Sequence, residues 1–280
     1  MKMITSTAIA AALALTLSAC NVQDGAASNE PAAAEAAAGD ALNGTWRADL
    51  ASLKFEGKPD DYLIQGGSYT CRTCIPPLTV AADGAFHAVA DRPYFDSMSV
   101  KTADARTVEI RRRKGGKDVS SATLQVSEDG NVLTTKFTDA TTPDAPPVVG
   151  SGTAKRAGPA PAGAHAVSGQ WTQDRIGEYS EEALNITYAF DGNSVTSTSQ
   201  GQSWTAELGG PAVPIKGDTG GTTVTVAREG TNGLRETYVR GGKQVNIVTV
   251  LPSADGKSFT FTSADPRDGS KTTWTGTKTS

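Results

Sequence analysis

The chain has 280 residues, with 26 Lys and Arg against 30 Asp and Glu, a net charge of −4 and only three cysteines. That balance lacks the basic surplus of a nucleic-acid binder and sets that class of partner aside. Thirty glycines, with abundant Thr and Ser, suit strands and turns better than helices.

At the start of the chain Lys2 is followed by an apolar run from Ala8 to Leu17. A run of about ten apolar residues is half of the roughly 20 that span a bilayer, so it reads as the core of a secretory signal. The run closes on Leu17-Ser18-Ala19-Cys20, which resembles the lipobox of bacterial lipoproteins. The resemblance implies a signal peptide over 1–19, cleavage before Cys20, and a membrane anchor of acyl chains on Cys20. The plain alternative is an ordinary signal with an incidental Cys. Asn21, where an Asp commonly favours inner-membrane retention, implies sorting to the outer membrane, facing the periplasm. Residues 20–41 then form the lipidated Cys and an alanine-rich tether, acidic at Asp24, Glu30, Glu35 and Asp40 and without core-forming side chains. No later segment is long and apolar enough to span a membrane as a helix.

The rest of the chain repeats itself. Gly44-Thr45-Trp46 recurs as Gly169-Gln170-Trp171, Gly115-Gly116 as Gly241-Gly242, and Asp129-Gly130 as Asp255-Gly256. The Gly-x-Trp offset is 125 residues and that of the two turns 126; at 126 residues Tyr62, Gly66, Gly84 and Val100 also meet Tyr188, Gly192, Gly210 and Val226. A duplication of this length predicts two domains, 42–156 and 168–280. The Pro/Gly/Ala-rich stretch 157–167 reads as a linker with nothing to pack.

Within each copy the apolar period is two. Val108 and Ile110 alternate with Glu109 and Arg111, and Phe259 and Phe261 flank Thr260, the pattern of half-buried strands. Asp83-Gly84, Gly115-Gly116, Asp129-Gly130, Asp191-Gly192, Gly241-Gly242 and Asp255-Gly256 supply hairpin-turn chemistry between them. The expected fold is all-β: two tandem antiparallel meander barrels of about eight strands each. The Gly-x-Trp heading each copy resembles the first motif of lipocalins, which implies an eight-stranded barrel with the Trp across its closed end. The whole chain resembles bacterial lipoproteins that join such a meander to a Cys-x-x-Cys-Ile-Pro-Pro loop, a likeness that carries no activity with it.

Candidate chemistry is sparse. Cys71 and Cys74 are the two thiols left if Cys20 is acylated. A local disulfide is the default in an oxidising compartment, with redox work or a metal site as alternatives. His87 and His165 show no metal or triad spacing, and no catalytic residue, metal or cofactor is expected. Arg111, Arg112, Arg113 and Lys114 form the one basic run. Alternation splits it over both strand faces at a Gly-Gly turn, so a solvated tip is the plain reading and an anion contact the functional one. Trp46, Tyr62, Trp171 and Tyr188 are core-packing candidates, or else the lining of a barrel cavity. The expectation is a lipid-anchored envelope protein that binds a small apolar ligand. The alternative is a scaffold with filled barrels that docks an envelope protein through its surface.

Overall fold

The computed structural model describes residues 41–280, so the expectations for the signal, Cys20 and the tether fall outside the described residues. The first copy contributes β1 (Gly44–Ala48), β2 (Lys54–Glu56), β3 (Asp60–Gln65), β4 (Ser68–Cys71), β5 (Leu78–Ala81), β6 (Asp83–Ala88), β7 (Ser97–Asp104), β8 (Thr107–Lys114), β9 (Lys117–Val126), β10 (Val132–Asp139) and β11 (Val148–Arg156). The second contributes β12 (Gly169–Tyr179), β13 (Asn185–Asp191), β14 (Ser194–Ser199), β15 (Gln202–Glu207), β16 (Val213–Pro214), β17 (Thr223–Glu229), β18 (Gly233–Arg240), β19 (Lys243–Pro252), β20 (Ser258–Ala264) and β21 (Lys271–Lys278).

These strands form two nearly closed antiparallel barrels, each of ten strands rather than eight. The difference lies in short strands that turn counting passes over. Asp83-Gly84 is not a hairpin turn: it opens β6, where the register with β7 slips, and only Ala82 separates β5 from β6. Gly66-Gly67, by contrast, is a turn. Both residues have positive φ, 58° and 74°, as a two-residue type I′ hairpin demands.

The order around the first barrel is β5-β4-β3-β12-β11-β10-β9-β8-β7-β6, and around the second β15-β14-β13-β1-β21-β20-β19-β18-β17-β16. The two orders match strand for strand, except that the Gly-x-Trp strands have changed places. Trp46 on β1 pairs with Ile186 and Lys278 of the second copy, while Trp171 on β12 pairs with Asp60 and Arg156 of the first. Sheet membership therefore departs from the 42–156 and 168–280 division at each copy's leading strand.

The stretch 157–167 is corrected by the same finding. It does not join two bodies: it is the loop between neighbouring strands β11 and β12 of one barrel. Nor does it lack packing. Ala166 rests against the first core, Val167 is buried within it, and the loop binds β3 through His165 N to Ile64 O at 3.0 Å. Just beyond it, Ser168 Oγ accepts from Ile64 N at 2.8 Å. After β2, which still pairs with β21 of the second barrel, the chain passes between barrels at 57–59, and again at the short turn of helix Glu181–Leu184.

Each exchanged Trp is locked in the same way. Trp46 Nε1 donates to Leu42 O at 2.8 Å, and Trp171 Nε1 to Val167 O at 2.9 Å. A cation covers each ring, Lys278 for Trp46 and Arg156, 4.0 Å from the centroid, for Trp171. Arg156 is itself held by the carbonyls of Gly130, Ala166 and Ser168. Both indoles are fully buried, and truncating a buried Trp to Ala costs about 3–5 kcal/mol.

Candidate functional site

The two barrels differ inside. Equivalent inward positions hold Leu78, Leu133 and Thr135 in the first but Trp204, Phe259 and Phe261 in the second, all within their cores or buried. The larger rings pack against one another in the second interior. Trp46 meets Phe259 edge-on at 5.4 Å, and Phe261 stacks on Trp274 at 4.2 Å. In the first barrel a cavity of about 340 Å³ remains, lined by Tyr69, Leu78, Met98, Phe137, Trp171 and Ile176 among others. It opens toward the second barrel, where Arg240 and the β20–β21 corner from Ser263 to Thr272 complete its wall. Since Trp171, Ile176 and Tyr179 belong to β12, the cavity is built from both copies.

Strand β8 carries the unusual lining residue. Val108 and Ile110 point into the core, and a period of two makes the next inward residue Arg112. A register slip between Arg112 and Arg113 ends the run, and the four basic residues part company. Arg111 and Arg113 pair with Asp118 outside the barrel, Arg113 lies 3.7 Å from the Phe86 ring centroid, and Lys114 Nζ donates to Pro93 O. Arg112 alone lines the cavity. Its guanidinium has a 3.5 Å approach to Ser120 Oγ and sits 5.3 Å from the Phe95 ring centroid, with no ion pair among the described residues. Burial lowers its pKa, opposed by Tyr69, Tyr62 and Asp139.

A second lining cation, Arg92, donates from Nη2 to the carbonyls of Pro76 (2.5 Å) and Pro77 (3.3 Å). Its Nε is buried without a partner, and its pKa is lowered first by burial and then by the charge of Arg112. The loop it binds is stapled by the Cys71–Cys74 disulfide, and Cys74 and Ile75 form part of the cavity wall. The neighbouring Tyr94 joins the barrels. Its hydroxyl donates to Asp218 at 2.8 Å and accepts from Arg240 Nη2 at 2.5 Å; its pKa is pushed up to about 12, chiefly by burial.

The remaining sequence candidates are placed as follows. Tyr62 is buried beside Tyr69 at 6.1 Å, stacked, in the first core; Trp46 and Tyr188 are buried in the second. His87 faces Asp83 at 2.9 Å, His165 Nε2 lies 2.6 Å from Asp104 O, and no group of three potential metal ligands exists among the described residues. A broader groove of about 510 Å³ beside Arg47 and Glu181 is shallow, and those two charges already pair with each other.

Sequence reasoning missed Glu236. It occupies the position of Ile110 in the second copy, is buried, and accepts from Tyr188 and Tyr238 hydroxyls, each at 2.6 Å. A charged residue on an inward position of a strand was the available signal. Residue 238 is in turn the counterpart of Arg112, so the second barrel has a phenol and a carboxylate where the first has a cation and an isoleucine.

The class defined by fold and site is thus a pair of strand-exchanged antiparallel barrels, with a cavity at the first that has an arginine in its wall. No protein-family model, curated protein or solved structure matches the chain.

Burial raises the Glu236 carboxyl to about 7, against the lowering effect of the two tyrosine hydrogen bonds. From the ordinary carboxylate range up to about 7, the unfolded chain has released a proton that the folded chain keeps. Stability therefore falls as pH rises through that window and levels off above it. Urea unfolding should show a higher midpoint at about pH 5 than at about pH 8, and Glu236→Gln should flatten the difference by an amount on the order of 2–3 kcal/mol. An unchanged pH profile in the variant would refute this assignment.

Proposed function

We propose that the chain is a lipid-anchored binding protein of the bacterial cell envelope, holding a small, largely apolar ligand in its first barrel. The observation that carries this reading is the cavity of about 340 Å³ at the first barrel, walled by apolar and aromatic side chains with Arg112 among them. Small-molecule sites are of this size, and they combine apolar walls with a few polar groups that fix orientation. The lipobox-like run ending at Cys20 supports a membrane anchor. More than one acyl chain there would give stable attachment, since each buried CH₂ contributes about 0.8 kcal/mol. Asn21 supports outer-membrane sorting, with the barrels in the periplasm. The second barrel then serves as the wall that completes the mouth of the first.

Residues 41–280, purified without the anchor, should carry a stoichiometric small molecule in native mass spectrometry that is released on denaturation. A reproducibly empty protein that also takes up no apolar compound would remove the ligand reading and favour surface docking to an envelope protein. The anchor is tested separately. The full precursor should incorporate labelled fatty acid in a bacterial host and Cys20→Ala should not; labelling retained by the variant would refute the lipobox assignment.

A further inference from the structure

We infer that the ligand of the first barrel is a single-chain anionic amphiphile whose charged head is received by Arg112. This rests on the ligand reading above and names the chemical class that the site selects. A guanidinium offers five N–H donors in a planar fork. Arg112 spends at most one of them, on Ser120 Oγ at 3.5 Å. Enclosed charges in proteins are ordinarily paired, because leaving water without a counter-ion is expensive. The two flanking arginines on the same strand obey that rule through Asp118; Arg112 does not, and it is the one that faces the cavity.

The second copy shows what the first lacks. At the neighbouring inward position it supplies its own carboxylate, Glu236, gripped by Tyr188 and Tyr238. The first copy has Ile110 there, so the strand of Arg112 offers it no carboxylate of its own on the inward face. Arg92, close enough for Arg112 to lower its pKa, adds a second positive charge and an unpartnered buried Nε. Apolar wall from Leu78, Met98, Ile176 and Trp171 suits a hydrocarbon chain behind the head.

The other charged groups of the lining define the head further. Asp265 is taken by Arg267 and Glu56 by Lys271, so neither competes for Arg112. Asp60 and Asp139 also face the cavity, and Asp139 acts on Arg112 electrostatically. With Lys58 and Arg240 included, the lining carries six cations against four carboxylates, a surplus that an anionic head would complete.

The test uses delipidated 41–280 protein and isothermal titration with octanoate, decanoate and dodecanoate, the alcohols of the same lengths, and dodecyl phosphate. At least one of the anionic compounds should bind about tenfold or more tightly than the alcohol of its length, since a hydrogen-bonded charge is worth at least that factor. Arg112→Met, which keeps side-chain length, should erase the preference while alcohol binding persists; unchanged circular dichroism would show that the variant folds. The comparison within the unaltered protein stands even if the variant does not fold. Equal binding of acid, phosphate and alcohol would overturn the anionic-head inference and leave the ligand reading intact. Tighter binding of dodecyl phosphate than of dodecanol, lost in Arg112→Met, would support the inference with a phosphate head. Binding of none of these compounds would overturn the inference, and the ligand reading with it if the purified protein is also empty.

Discussion

Antiparallel pairing of each Trp-bearing strand with the opposite copy is the constraint on which the rest of the molecule depends. Once β1 lies between β13 and β21, and β12 between β3 and β11, neither barrel can be completed by its own copy in this arrangement. The chain must cross at 57–59 and again at the 181–184 turn, and these crossings hold the barrels side by side. Tyr94, reaching from one barrel to Asp218 and Arg240 of the other, acts on a geometry already set by the backbone. The cavity mouth and its composite wall follow from that same geometry.

Duplication supplies two equal frames, and side-chain volume then makes them unequal. Trp204 in place of Leu78 and Phe259 and Phe261 in place of Leu133 and Thr135 bring rings into the second core, while Tyr69 and Met98 stand in the first where the second has Val195 and Val224. Polar groups diverge as well. Tyr238 with Glu236 forms a self-contained hydrogen-bonded cluster, at the cost of a buried carboxyl whose pKa is forced upward. Arg112 with Ile110 leaves a cation facing the cavity. The cavity and the cation that faces it therefore lie at the same barrel.

Much of the fold was legible in the chain itself. Period-two alternation and paired turn glycines mark the strands, and constant spacing marks the repeat, because both are local properties. The exchange was not legible, since β1 and β12 carry the same Gly-x-Trp pattern and each fits either barrel; only pairing across more than a hundred residues distinguishes the two arrangements. For the same reason 157–167 reads as a linker, although Val167 and the neighbouring Ser168 are buried by their attachment to β3 and the Trp171 ring. The site was partly legible. Trp171 and Arg112 stand out as residue types, but the bulge that separates Arg112 from Arg113 decides which basic side chain turns inward. Comparing inward positions copy against copy, Leu78 with Trp204 and Ile110 with Glu236, reveals how the barrels differ; averaging over both copies conceals it.

The exchange itself is the claim to test most directly, and adjacent strands allow a covalent answer. Thr45 on β1 faces Thr187 on β13, with their hydroxyl oxygens 3.0 Å apart, a separation suited to a disulfide between cysteines at those positions. Were β1 paired within its own copy, Thr45 would instead face Asp61, as Gln170 does now. Monomeric protein carrying Thr45→Cys with Thr187→Cys, or Thr45→Cys with Asp61→Cys, is oxidised and its peptides are mapped by mass spectrometry. The account predicts a 45–187 link in the first variant and none between 45 and 61 in the second; a 45–61 link without a 45–187 link would contradict it.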